Sequence, residues 1–381
     1  MFKTVIVEKL VYGGYGLCRS DEGIMFVPGT LPGEHVRILP EKKKQGFTTA
    51  NIHEIIKQSP QRRTPQCKWA GICGGCDWMH IRYEAQLELK KEIFLDCIKR
   101  IGRIKDNLKP RIYNSPEMNY RIRAQIKSNK MGQTGFFKKG TNQVVPIDNC
   151  LLLSQRLNEL LRCKKVSQFV KSNQISSLKV IEGEQVIASD PLLPGITEKS
   201  TIIKIGKKNF KIHGDSFFQS NRFLLEKLGL WAKPYVGGKT CVDLYGGTGF
   251  FSVMLSSNFK LGVLIESVSD QVESACANFH NNGINHFSAI NLCAEKTGQI
   301  VKSSPDLLIV DPPRPGLTRK VREFISQLKP KQLLYISCNS STQARDTGFF
   351  VNRAGYNIKE TALFDLYPNT HHLETVILFE K

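Results

Sequence analysis

Val242-Asp243-Leu244-Tyr245-Gly246-Gly247-Thr248-Gly249 is an apolar run that meets an acid and then breaks into a glycine-rich turn. Glycines at such a point let backbone amides approach a ligand and open the next helix. The pattern extends outward from there. Thr240–Leu244, Leu261–Ile265, Leu307–Val310 and Gln332–Ile336 are short apolar runs, each followed by glycine, an acid or a turn. Between them, Ser269–Asn281 and Arg319–Leu328 carry helical spacing. Apolar strands joined by helical crossovers imply a parallel, doubly wound α/β sheet, a Rossmann-like domain over residues 213–381. Ligands of such a sheet sit at the carboxyl ends of its strands.

Those strand ends carry the candidate chemistry. Glu266 lies twenty-three residues beyond Asp243 and ends the next strand, where a carboxylate can accept both hydroxyls of a ribose. That spacing suits a nicotinamide dinucleotide and S-adenosylmethionine equally. The decision comes from Asp311-Pro312-Pro313-Arg314-Pro315-Gly316. Asp/Asn-Pro-Pro at a strand end is typical of methyltransferases acting on planar nitrogen heterocycles, its prolines fixing a rigid slot for the base. S-adenosylmethionine is therefore the expected cofactor.

Ser337-Cys338-Asn339 closes the following strand. Uracil C5 is a poor nucleophile toward a methyl sulfonium. A thiolate adding to C6 turns the base into an enolate whose C5 attacks the methyl group, after which a base must remove the C5 proton. Cys338 is the expected nucleophile. Glu374, in Thr370-His371-His372-Leu373-Glu374 ahead of the apolar run Val376–Phe379, is the expected base, with a histidine as its rival. Adjacent histidines on a strand point to opposite faces, which argues against a shared metal. Cytosine-methylating enzymes usually place their cysteine in a Pro-Cys pair; the Asp311–Gly316 loop has none, which favours uracil.

The N-terminal half reads differently. The chain of 381 residues has a formal charge of +20, and residues 1–212 hold 37 Lys+Arg against 19 Asp+Glu. Residues 213–381 hold 17 against 15, so chemistry in one half and polyanion capture in the other is the expectation. Thr4–Val7, Ile24–Val27, His35–Leu39 and Thr49–Ile56 alternate with glycine turns, predicting a small closed OB-like barrel over residues 1–58. A polar linker leads to a β-rich section, 59–212, whose one helical stretch, 83–101, is placed where it can pack on the catalytic domain. No apolar run approaches a membrane span and no signal-peptide core develops, so a cytoplasmic protein with no membrane partner is expected.

Eleven cysteines without a signal peptide argue against a disulfide framework. Cys67-x5-Cys73-x2-Cys76, among glycines, supplies three thiolates on a loop, and Cys150 is available as a fourth. Zinc ribbons usually supply two close pairs, whereas three clustered cysteines and a distant one fit a [4Fe–4S] cluster better; zinc stays as the alternative.

Taken together these residues resemble the RNA uracil-5-methyltransferase family along almost the whole chain. The start resembles a TRAM domain in its Tyr12-Gly13-Gly14-Tyr15-Gly16 turn and its Phe26–Glu34 stretch. The other matches are the cysteine quartet, Phe217-Phe218-Gln219-Ser220-Asn221, and the motifs around Asp243, Asp311, Cys338 and Glu374. The resemblance implies that Gln219, Tyr245, Glu266 and Asp311 contact S-adenosylmethionine, and that Asp311 also orients the uracil edge. It implies Cys338 as nucleophile, Glu374 as base, and Cys67, Cys73, Cys76 and Cys150 as [4Fe–4S] ligands. The substrate it implies is a uridine of structured RNA, 23S ribosomal RNA ahead of transfer RNA, flipped into the site of a monomer. A non-catalytic RNA-binding assembly factor is the reading from another class. Two departures stand out: Gly246 occupies a position where the family commonly has cysteine, and Ser340-Ser341 one where it has Pro-Ala.

Overall fold

Five strands open the chain in the computed structural model, which describes residues 2–21 and 23–381. Lys3–Val11, Tyr15–Ser20, Gly23–Pro28, His35–Lys44 and Phe47–Lys57 close into a barrel, the first strand pairing with the fourth from Lys3↔Ile38 to Ile6↔His35. Alternate side chains point inward, so Val5, Val7, Cys18, Met25, Val27, Val36 and Ile38 fill the interior. Glu34, fully buried, accepts from Arg62 Nε at 2.6 Å and from the backbone N–H of Leu31 and Ser59, clipping the linker to the barrel.

The central section forms a five-stranded sheet in the order Ile187–Asp190, Ser177–Glu182, Arg123–Ser128, Thr134–Phe137, Val144–Pro146. It also contains two helices absent from the sequence reading, Gln155–Arg162 and Lys164–Ser172. Leu157, Leu160, Leu161, Val166 and Val170 are the residues they bury against the sheet. Each helix is two turns long, too short for a clear period to stand out from its flanks. Ser154 caps the first, its Oγ accepting from Leu157 N–H.

The C-terminal sheet has eight strands in the order Phe287–Asn291, Phe259–Glu266, Gly238–Leu244, Leu307–Val310, Gln332–Ser337, Glu374–Glu380, Asn357–Phe364, Arg111–Tyr113. The first five are parallel; Glu374–Glu380 runs antiparallel between its two neighbours. Strand order reverses between Gly238–Leu244 and Leu307–Val310, and that switch point opens the ligand crevice. Helices Ser269–Asn281 and Arg319–Leu328 match the spacing read from the sequence. Leu307, Leu308, Ile309 and Val310 are all fully buried, as a central parallel strand covered on both faces requires.

Two pieces of the preceding section serve this sheet. Arg111–Tyr113 extends it as an edge strand parallel to Asn357–Phe364. Helix Tyr83–Arg100 packs on helix Ser340–Asn352 and on the first barrel strand, with Leu89, Ile93, Phe94 and Ile98 sharing one core with Leu308, Tyr335 and Ile377.

Candidate active site

Four adjacent parallel strands end at one edge of the sheet, and each ends on a residue singled out in the sequence. Tyr245, Glu266, Asp311 and Cys338 follow or close Gly238–Leu244, Phe259–Glu266, Leu307–Val310 and Gln332–Ser337. Glu374 arrives from the opposite direction, because its antiparallel strand begins where its neighbour ends. The pairing Ser337↔Thr375 sets Glu374 beside Cys338 at that edge. Thr375 Oγ1 donates to Ser337 O at 2.9 Å, and buried Gln343 donates to Tyr335 O, holding the two strand ends together.

On the glycine-turn side, Tyr245 takes a left-handed backbone (φ 61°) that a side chain rarely adopts. Glu266 Oε2 accepts from Gly247 N–H at 3.1 Å, and its Oε1 accepts from the N–H of Ser267 and Val268. Asp243 is buried; Ser252 Oγ donates to its Oδ2 at 2.6 Å, and burial pushes the carboxyl up to about 7. A Cβ on Gly246 would stand 2.4 Å from Leu264 Cγ, so any side chain there needs Leu264 to move. Gln219 reaches the same domain through Phe218, whose ring meets Phe250 at 5.8 Å, and through Asn221, which donates to Leu366 O. Gln219 Oε1 and Asp243 Oδ1 are buried atoms with no hydrogen-bond partner among the described residues. A bound molecule bearing ammonium and hydroxyl donors, as S-adenosylmethionine does, would satisfy such atoms.

The Cys338 side is acidic and enclosed. Burial pushes the half-buried Cys338 thiol up to about 11, and the nearby Glu374 and Asp311 carboxylates add to the rise while Arg314 opposes it. Glu374 is held well above the carboxylate range by burial and then by Asp311, and Asp311 is raised by burial and then by Asp243. Acids so close in a poorly solvated place cannot all be charged at once, so the free site retains protons.

Asn339 organises the loop facing the cysteine. Its Oδ1 caps helix Ser340–Asn352 by accepting from Ser341 and Thr342 N–H, and its Nδ2 donates to Arg314 O at 2.9 Å. Buried Asp346 completes the support, accepting from Leu317 N–H, Tyr335 OH and Arg322 Nη1.

Several pocket residues were not legible in the sequence. Tyr12, Gly13, Lys90, Ser340, His371 and His372 line the small cavity around Cys338. Tyr12 and Gly13 come from the barrel's glycine turn, and Lys90 comes from helix Tyr83–Arg100. Gly14 lies so close to the site that an added Cβ would meet His371 Cβ and Trp78 Nε1, each at 2.8 Å. His372 is pulled down to about 4 by burial, with His371 and Arg314 adding to the effect, which makes it a neutral ring near neutral pH. The histidines had a sequence signal as rivals of Glu374 for the role of base. The glycine turn had one too, but it spoke of a turn rather than of a pocket, and Tyr12 and Lys90 had none.

Cys67, Cys73, Cys76 and Cys150 line one pocket whose other walls include Trp69, Met79, Phe136 and Leu152. Burial raises the thiols of Cys73, Cys76 and Cys150, and the neighbouring thiolates add to the rise. Among the described residues, no group of three or more His, Cys, Asp or Glu side chains is arranged to hold a metal ion. Beside this loop runs a groove of about 540 Å³ lined by Gly74, Arg121, Lys127, Phe137, Lys138 and Lys139. Lys127 Nζ sits 4.9 Å from the Phe137 ring centroid there. No helix among the described residues is long and apolar enough to cross a membrane.

A family model described as tRNA (uracil-5-)-methyltransferase matches residues 196–381. A protein of Aquifex aeolicus described as an uncharacterized RNA methyltransferase is 32% identical, over 98% of this chain and 97% of its own. The 23S rRNA (uracil(1939)-C(5))-methyltransferase RlmD of Shewanella amazonensis is 27% identical over 98% of this chain and 94% of its own. The Pyrococcus abyssi tRNA (uracil-54, C5)-methyltransferase, solved in complex with S-adenosyl-L-homocysteine, covers 98% of this chain and 100% of that one. Its TM-score of 0.76 at 21% identity is a likeness of fold, the methyltransferase sheet and a small β-barrel together.

Proposed function

The chain belongs to the RNA (uracil-5-)-methyltransferase family, and from that premise we propose that it methylates C5 of one uridine in 23S ribosomal RNA, with Cys338 as nucleophile and Glu374 as base. The observation that carries the mechanism is the meeting of Cys338, Glu374 and Asp311 at one sheet edge, drawn there from three separate strands.

S-adenosylmethionine supplies a methyl group on a sulfonium when bound; Gln219, Tyr245, Glu266 and Asp311 are the residues assigned to hold it. The target uridine leaves its stack and enters between the Asp311–Gly316 loop and Cys338, with Asp311 orienting its polar edge. Cys338 gives its thiol proton to solvent, Arg314 being the nearby cation that favours the thiolate. The Sγ–C6 bond forms and C5 becomes the nucleophile that receives the methyl group. Glu374, once it has given up to solvent any proton it holds in the free site, takes the C5 proton, the electron pair restores the C5–C6 double bond, and Sγ leaves. A carboxylate raised by burial is a stronger base, suited to removing a carbon-bound proton.

Residues 1–58 and 59–212 are assigned to RNA capture, with helix Tyr83–Arg100 and strand Arg111–Tyr113 lent to the catalytic domain of residues 213–381. The groove of Arg121, Lys127, Lys138 and Lys139 carries no acidic lining residue, and Phe137 offers a stacking face, which supports a grip on phosphates and bases. Cys67, Cys73, Cys76 and Cys150 are assigned as holders of a [4Fe–4S] cluster. All four thiols border one largely apolar pocket with no competing imidazole or carboxylate, the donor set a cluster uses; its role is to order this loop.

Incubation with 5-fluorouridine-substituted RNA and S-adenosylmethionine tests the chemistry. The fluorine cannot leave as a proton does, so a covalent protein–RNA adduct is expected, and Cys338→Ala should abolish it. An adduct persisting in Cys338→Ala would overturn the assignment. Mass spectrometry of ribosomal and transfer RNA from cells with and without the protein decides between the two substrates.

A further inference from the structure

The paired histidines have no task in the chemistry above, yet one of them is held with unusual thoroughness. Asp77, the residue after Cys76, accepts the backbone N–H of His371 on Oδ1 at 3.0 Å and meets His371 Nδ1 with Oδ2. The neighbouring Trp78 N–H donates to Asn369 O at 3.0 Å, and buried Gln86 bonds Asn369 at both its backbone N–H and its Oδ1. Asn369 itself takes a left-handed backbone (φ 65°), so the turn is bent at a cost that these contacts offset. The His371 ring lies on that of His372, centroids 4.1 Å apart, and both border the Cys338 pocket. Three residues after His371 comes Glu374.

We propose that Asp77 is a positioning residue for the methyl transfer: by holding His371 at both backbone and ring, it sets the turn that aims the Glu374 carboxylate at the C5 proton. The cysteine loop is thereby coupled to the second half of the reaction, proton removal and release of Cys338, rather than to RNA capture alone. This rests on Glu374 being the base.

The alternative is that Asp77 only staples an RNA-binding loop to the body of the protein. The two differ in which species accumulates. A misaimed Glu374 still permits the Sγ–C6 bond and the methyl shift, but C5–H removal and Sγ release then stall. A loosened RNA-binding loop weakens encounter and lowers adduct and turnover together.

The test uses the full chain and, as substrate, a natural-uridine transcript of whichever RNA forms the fluorouridine adduct. Asp77→Asn and His371→Ala are compared with wild type for kcat, KM and the fraction of protein covalently bound to RNA at steady state. Loss of alignment at a catalytic group costs on the order of 10- to 100-fold in rate. The expected result is a kcat lower by about that factor, KM within about twofold, and a covalent fraction raised about tenfold. Glu374→Gln is the control and should accumulate the adduct. If Glu374→Gln does not, the base assignment fails and the proposal with it. If Glu374→Gln does but neither Asp77→Asn nor His371→Ala does, the proposal alone is overturned. A rise in KM at unchanged kcat also overturns it, in favour of the staple. Should Asp77→Asn fail to fold, His371→Ala, which leaves the Asp77 carboxylate in place, carries the decision.

Discussion

Lys90 offers a direct test of how the N-terminal half builds the catalytic pocket. Its ammonium lies 2.6 Å from Asp365 with both side chains fully buried, and it also donates to Tyr367 O at 3.1 Å. Burial pulls the ammonium's pKa down, and Asp365 is the group that opposes this. Lys90→Met keeps most of the aliphatic stem, so little apolar contact is lost, but it leaves the Asp365 carboxylate enclosed without its cation. Breaking one side of a buried pair costs about 3–5 kcal/mol, mostly as the penalty of the stranded charge. Lys90→Met with Asp365→Asn removes that charge as well and should cost only about 1–2 kcal/mol, for hydrogen bonds not remade. The double variant is therefore expected to be more stable than the single one by about 2 kcal/mol. Urea unfolding of the full chain measures this, followed by the fluorescence of its three tryptophans, of which buried Trp78 has its ring centroid 5.8 Å from the ammonium. A cost below about 1 kcal/mol for Lys90→Met, or a double variant no more stable than the single one, would refute the argument from stranded charge.

Two further outcomes follow from the site geometry. With the Cys338 thiol raised from 9.0 to about 11, its alkylation by iodoacetamide in the free protein should run about a hundredfold slower than that of an unperturbed thiol at pH 7. It should then climb about tenfold per pH unit toward 11; peptide mapping by mass spectrometry isolates this site, and fast alkylation at pH 7 would contradict the enclosed acidic setting. Gly14→Ala forces a side chain onto His371 and Trp78 at φ +77°, so a stability loss of about 1–3 kcal/mol and a fall in turnover are expected. Thermal unfolding and methyl incorporation measure the two; unchanged turnover would show that the barrel turn does not matter to the site.

The central strands of the C-terminal sheet and helices Ser269–Asn281 and Arg319–Leu328 were legible because each is a short apolar run or a full helical period, signals that survive without tertiary context. The outer strands Phe287–Asn291, Asn357–Phe364 and Arg111–Tyr113 carry no such run and were not read. The two short helices at Gln155–Arg162 and Lys164–Ser172 were not, since two turns carry little periodicity and owe their form to the sheet beneath them. The motif residues were legible for a different reason. Asp311, Cys338 and Glu374 must each stand at a strand end to reach the crevice, and strand ends are where apolar runs stop. Tyr12, Asp77 and Lys90 gave no such sign, because nothing local marks a tyrosine in a turn or a lysine in a helix as facing another domain.

What the sequence by itself determined is the chemistry: a glycine turn, an Asp-Pro-Pro loop, a cysteine and a glutamate at the ends of apolar runs admit few reactions, because reactivity depends on residue type. Tertiary structure alone decided who completes the site. The antiparallel insertion of Glu374–Glu380 beside Gln332–Ser337 brings Glu374 and Cys338 to one edge, the barrel turn and a buried lysine close the pocket from outside the sheet, and the residue after the cysteine loop holds His371 at its wall. The reason is physical. A pocket wall is chosen by packing between surfaces distant in sequence, and packing leaves its mark on shape and burial rather than on any local pattern of residues.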